Sequence, residues 1–166
     1  FGAVPLDQAL GAILAHSVPL GGSARLRKGC VLGADDLAAL AAHGLDRVVV
    51  ARPDPGDLTE DQAAAAVAQA LAPDPMGQGL RLTTAFAGRV NLNAIGPGLV
   101  DLDANAVLAL NRVDPAITLA TLPPLTRVAA GTLVGTVKII AYAVAAQAVA
   151  RASAVGLAAL RVRPVV

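Results

Sequence analysis

The stretch Leu110–Val144, LNRVDPAITLATLPPLTRVAAGTLVGTVKIIAYAV, decides the fold. It holds two β-branched runs, Ala116–Leu122 and Thr132–Val144, on either side of a Pro123-Pro124 break. β-Branched residues suit a pleated, half-buried surface, and proline cannot donate to a strand ladder, so the stretch reads as two strands with an interruption. Arg127–Ala129 reads as a short strand between them, Gly131 as a turn, and Thr132–Val144 as one long strand. Lys138, one of only two lysines, stands inside that last run. An apolar strand with lysine at its centre needs a partner for the charge or a ligand, because burying a bare ammonium is expensive.

Working outward, Ala145–Val155 reads as an Ala-rich helix closed by Gly156, and Leu157–Val162 begins a last strand. On the other side, Gly96-Pro97-Gly98 marks a turn, Leu99–Leu102 is extended, and Asp103 caps a helix carrying Ala106, Val107 and Leu110. Leu80–Phe86 and Arg89–Leu92 read as strands around a turn or bulge at Gly88. Thr59 and Gln62 match the capping box that opens an Ala-rich helix running to Leu71. Pro73–Gly77 ends that helix and reads as a linker between lobes.

In the first third, the spacing of Leu6, Ala9, Leu10, Ile13 and Leu14 predicts a helix over Val4–His16. Gly11 weakens it, so it gives way to an extended Ala12–Leu20. Gly21-Gly22-Ser23 is a turn, and Arg25–Leu32 pairs back across it. Asp35 or Asp36 caps a helix with Leu37, Leu40 and Ala41 on one face, ending at Gly44. Val48–Val50 is a buried strand, stopped by Pro53 and Pro55. Short helices among many strands predict an α+β fold with mixed or antiparallel sheets. Two small lobes are expected, residues 1–72 and 80–166. The chain opens at Phe1 without Met and stops within a strand-like run, so the second lobe reads as cut short and the chain as a fragment of a longer protein.

Composition narrows the function. Hydrophobic residues are 55% of the chain but aromatics only 2%, so Ala, Val, Leu and Ile must build the core. Few aromatics and a net charge of +1 argue against single-stranded nucleic acid, duplex DNA and anionic membranes as partners. The uncharged run Ile139–Ala150 is well short of the ~20 residues a membrane span needs. A single cysteine, Cys30, excludes an internal disulfide or a cysteine metal cluster and suits a reducing, cytoplasmic setting.

No catalytic constellation stands out. His16 and His43 lie in different elements without acidic or thiol neighbours at ligand spacing, so no metal site is expected. Lys28 beside Cys30 could lower the thiol pKa, yet no histidine is placed as its base. Nucleophile elbows, phosphate loops and dinucleotide fingerprints are missing. The basic cluster Arg25-Leu26-Arg27-Lys28 fits either a phosphate contact or an exposed strand face. The best polar set is Arg89, Asn91, Asn111, Arg112, Asp114, Thr118, Thr121 and Lys138. Asp114 is the natural partner for Lys138, and both a structural ion pair and a ligand pocket remain open. Thr118 and Thr121 are an odd number apart, so in a straight strand they face opposite ways.

Two passages resemble a known family. Gly11–Val50, with GAILAHSV, LRKGCVL and DLAALAAHGLDRVVV, is similar to the segment ahead of the pterin-binding domain in molybdopterin molybdenumtransferase proteins. Leu110–Val144, with NRVDPAITLATLP and GTLVGTVKIIAYAV, resembles the N-terminal part of bacterial proteins in which such a module precedes a nucleotidyltransferase domain. The resemblance implies a cytoplasmic, non-catalytic N-terminal module of a molybdenum cofactor biosynthesis protein, which binds or presents molybdopterin or helps to dimerise. It implies a downstream pterin-binding domain of the same protein as partner, and a homo-oligomer. Arg89, Asn111, Asp114, Thr118 and Lys138 are the candidate cofactor contacts. The family's catalytic motifs have no counterparts in these residues, so activity is not expected of this piece alone, although the parent protein would be a transferase. A small-ligand regulatory domain and a structural dimerisation domain are the alternatives.

Overall fold

The computed structural model describes residues 1–165 and divides the chain into two units, Phe1–Asp54 and a second that starts at Pro55. In the first, β1 (Gly2–Pro5) leads into a single 3-10 turn at Leu6–Gln8, then β2 (Ile13–Leu14), β3 (Val18–Pro19) and β4 (Arg25–Leu26). Helix α1 (Ala34–Ala42) and β5 (Arg47–Ala51) complete it. β5 lies between β1 and β2, both antiparallel to it. β3 and β4 form the hairpin expected across Gly21-Gly22, both of which have positive φ. The core of this unit is Ala9, Ala12, Leu14, Leu32, Leu40, Val48 and Val50.

The helix expected over Val4–His16 is not formed. Gly2–Pro5 instead pairs with Arg47–Val50, and Gly11 adopts a left-handed φ of 73° that ends any helical turn. Strand pairing offers those backbone groups partners along a buried valine run, which outweighs a modest helical spacing. α1 forms as expected but is capped differently. Gly33 is the N-cap, and Asp36 reaches back to accept from its N–H at 2.9 Å.

The second unit runs β6 (Asp57–Thr59), α2 (Glu60–Leu71), β7 (Leu80–Leu82), β8 (Arg89–Ala94), β9 (Gly98–Leu102) and α3 (Ala104–Leu110). It continues with β10 (Ile117–Thr121), β11 (Arg127–Val128), β12 (Leu133–Ile139), β13 (Ala143–Ala145), α4 (Ala146–Val155) and β14 (Leu160–Pro164). All pairings are antiparallel: a four-stranded sheet in the order β10-β12-β8-β7, a three-stranded sheet β11-β9-β14, and the pair β13-β6. The fold is α+β. The boundary between units falls at Asp54/Pro55 rather than between residues 72 and 80. The Ala-rich α2 belongs to the second unit because Ala63, Ala64, Val67, Ala68 and Leu71 are buried in its core. Pro73–Gly77 is therefore a turn inside one unit and not a linker.

Thr132–Val144 is not one strand. β12 ends at Ile139, whose N–H donates to Gly88 O at 2.8 Å, and the chain bends before β13 pairs with β6. Val134 is an extra residue there, opposite neither Asn93 nor Leu92, and makes a bulge. The expected capping box at α2 is present, with Gln62 N–H donating to Thr59 Oγ1 at 3.3 Å and Thr59 N–H to Gln62 Oε1 at 3.0 Å. Asp103 caps α3 through Asn105 and Ala106 N–H groups at 2.9 and 3.0 Å. As composition requires, the buried core is Ala, Val, Leu and Ile, while Phe1 and Phe86 lie on the surface. No helix among the described residues is long and apolar enough to cross a membrane.

Candidate functional site

Strands β8 and β12 bury every second residue: Val90, Leu92 and Ala94 on one, Val137 and Ile139 on the other, facing α2. The alternate positions Arg89, Asn91, Asn93, Thr136 and Lys138 therefore share the opposite, open face. Register sets them in rows. Arg89 lies opposite Lys138, which lies opposite Thr118 on β10, while Asn91 lies opposite Thr136 and then Ala120. Arg81 on β7 lies opposite Asn93. The face thus carries three cations, and no strand of this sheet contains an acidic residue.

Three of the five candidate contacts, Arg89, Thr118 and Lys138, are brought into one row. The other two, Asn111 and Asp114, are committed elsewhere. Asn111, exposed at the end of α3, clamps the free edge of β10: its Nδ2 donates to Leu119 O at 2.9 Å and its Oδ1 accepts from Leu119 N–H at 2.7 Å. Asp114 Oδ1 accepts from Ala116 N–H at 2.8 Å in the turn that enters β10. Lys138 has no ion pair with Asp114. It is half-buried, and its Nζ donates to Ala87 O at 2.5 Å, while its own carbonyl accepts from Thr118 Oγ1 at 2.7 Å. The dilemma of a buried ammonium dissolves because alternation turns Lys138 outward, and no charged residue is buried among those described. Thr121, opposite Gly135, falls on the other face from Thr118, as its odd spacing predicts. Arg112 is exposed beyond α3.

Sequence reasoning missed Phe86 and Thr136. Ala87 and Gly88 both have positive φ, and Phe86 and Arg89 exchange backbone hydrogen bonds at 3.1 Å, which is the tight hairpin turn that matches strand twist. Being directly opposite Arg89, Phe86 shares its face, and its ring is 76% exposed. The available signal was an aromatic beside a Gly turn in a chain with three aromatics. Thr136 Oγ1 donates to Asn91 Oδ1 at 3.0 Å, which leaves the Asn91 NH2 group pointing its donors elsewhere. Asn93 Nδ2 donates to Gly131 O at 3.1 Å. A shallow hollow of about 140 Å³ adjoins this face, lined by Ala120–Leu122 and Leu133–Thr136.

Other features carry less chemistry. Asp101 Oδ2 accepts from Arg161 and Arg163 Nε, both at 2.6 Å, and this bonding, Arg161 first, holds its carboxyl below the usual carboxylate range. A cleft of about 300 Å³ lies beside it. Burial, with the nearby Asp36 charge adding to it, pushes the Cys30 thiol up, the reverse of an activated nucleophile. His16 is exposed, and His43 Nδ1 sits 2.8 Å from Ala39 O in the last turn of α1. No group of metal-ligating side chains occurs among the described residues.

Residues 3–52, a span within the first unit, match the family model of a domain of unknown function, DUF8806. Neither a curated protein nor a solved structure matches the chain.

Proposed function

We propose that this chain is a non-catalytic module of a molybdenum cofactor biosynthesis protein, and that it presents molybdopterin on the open face of the β10-β12-β8-β7 sheet. The reading starts from the sequence resemblance. Its physical support is one arrangement: the exposed Phe86 ring stands beside the Arg89–Lys138–Thr118 row, with the Asn91 amide donors one row further along. A planar heterocycle with an anionic tail needs an apolar plate, a cationic row, and hydrogen-bond donors within a few ångströms. Two strand positions span about 7 Å, so one ligand reaches both rows. In this reading the partner is a pterin-binding domain, and the module holds or hands over the cofactor without making or breaking bonds.

The test is calorimetric titration of the chain with molybdopterin, with the melting temperature followed in parallel. Ligand at a hundred times its dissociation constant should stabilise the second unit by about 2.7 kcal/mol. Phe86→Ala should weaken binding while leaving the melting temperature of the free protein unchanged, because the ring is on the surface. Neither heat nor thermal shift with molybdopterin would overturn the reading.

A further inference from the structure

Arg89 and Lys138 are an anomaly that the fold does not explain. Ile139 N–H donates to Gly88 O, so residues 88 and 139 form a hydrogen-bonded pair and the next pair, 89 and 138, is the close, non-bonded kind. In such a pair the Cα atoms are about 4.5 Å apart, and two like charges directly opposite destabilise the sheet. Among the described residues, no strand of this sheet carries an acid to offset them. Asp61 and Glu60 approach this hairpin from the first turn of α2, on the core side, and the Asp61 carboxylate is committed to Gly88 N–H at 2.6 Å. The Arg89 guanidinium accordingly keeps its donors free. Lys138 uses one proton on Ala87 O, which fixes the ammonium at the hairpin and leaves two to offer.

We propose that Arg89 and Lys138 form a clamp for a phosphate monoester, the doubly charged group that two adjacent cations match best. Arg89 would meet two oxygens side by side, and Lys138 the third as a point charge, with Thr118 in register behind it. The inference rests on the reading of this face as a ligand site, but not on the identity of the ligand. It defines which end of a ligand sits here: the phosphate tail at the hairpin, and any ring against Phe86.

The test uses the whole chain and two probes, inorganic phosphate and methyl phosphate, titrated at constant ionic strength set with chloride. Both should bind, and Arg89→Gln and Lys138→Met should each weaken binding by about tenfold or more. Arg81→Gln removes the same charge two rows away and should change affinity by less than about twofold, because exposed charges at that distance are screened. Arg89→Gln should also melt no lower than the parent protein in phosphate-free buffer, since it removes a repulsion, which keeps a folding defect from passing as lost binding. If Arg81→Gln weakens phosphate as much as Arg89→Gln, the attraction is diffuse and the clamp is overturned, as it is if neither probe binds. Molybdopterin that binds equally well to the parent and to Arg89→Gln also overturns the clamp while leaving the proposed function intact. Phosphate that binds where molybdopterin does not supports the clamp and removes the proposed function.

Discussion

Replacing Asn111 with alanine should show how the free edge of β10 is closed. The Asn111 amide copies a neighbouring strand, its Oδ1 accepting from Leu119 N–H at 2.7 Å and its Nδ2 donating to Leu119 O at 2.9 Å. Leu119 is 5% exposed, so its backbone is poorly served by solvent while the amide is present. Two such bonds are worth about 1–3 kcal/mol net, because water enters after truncation at an exposed position. Asn111 is the C-cap of α3 and not one of its helical residues, so alanine returns little helix preference there. The expected loss is therefore about 1–3 kcal/mol, or roughly 4–12 °C in the melting temperature of a unit this size. Urea unfolding followed by far-ultraviolet dichroism measures it, and hydrogen exchange at Leu119 should speed up in parallel. Asn111→Asp adds a sign test. The protonated acid can donate to Leu119 O and accept from Leu119 N–H, whereas the carboxylate keeps only the second bond, repels the carbonyl and sits at the negative end of α3, so its folded-state pKa should lie above the unfolded one. Stability of Asn111→Asp should thus be highest at low pH and fall as pH rises through the carboxyl range. A loss under about 0.5 kcal/mol for Asn111→Ala, with unchanged exchange at Leu119, would refute the clamp.

Asp101 behaves in the opposite sense: its depressed pKa contributes stability that is present above the unfolded carboxylate pKa and lost as pH falls through the folded one. The pair partners are largely solvated, so Asp101→Asn should cost less than about 1 kcal/mol at pH 7, and the difference from the parent should shrink in acid or high salt. Cys30 should alkylate more slowly with iodoacetamide at neutral pH than a free thiol, and accelerate only as pH rises above the ordinary thiol range; a faster rate than free cysteine would contradict its burial. Gly98 has no room for a side chain, because a Cβ there would lie 2.3 Å from Arg163 O and 2.6 Å from Val162 Cγ1. Gly98→Ala should therefore destabilise by about 1–3 kcal/mol through separation of β9 from β14, measured by denaturant unfolding.

Local chemistry makes much of the chain legible from its sequence. The capping box at Thr59, the Asp103 cap, the turn at Gly21-Gly22 and the all-aliphatic core each follow from interactions within a few residues or from bulk composition. Alternation in β8 and β12 was also readable, and it alone implies that Lys138 shares a face with Thr136. The errors lay where distant partners decide. Val4–His16 has a helical spacing, but β5 supplied a strand partner more than forty residues away. Asp114 is the natural partner for Lys138 by sequence, whereas the fold commits Asp114 to its own turn and Lys138 to Ala87 O.

By itself, then, the sequence determined an aliphatic α+β protein with its helices capped where their caps are written, because those contacts are short-range. Only the tertiary structure decided that Arg89, Phe86, Lys138 and Thr118 stand in one row, and that the boundary between units precedes α2. Strand register joins residues from three separate segments, and no local periodicity specifies which strand pairs with which. The pairing is chosen by the joint burial of the apolar residues that all four strands turn toward α2, a condition that exists only when the whole unit is assembled.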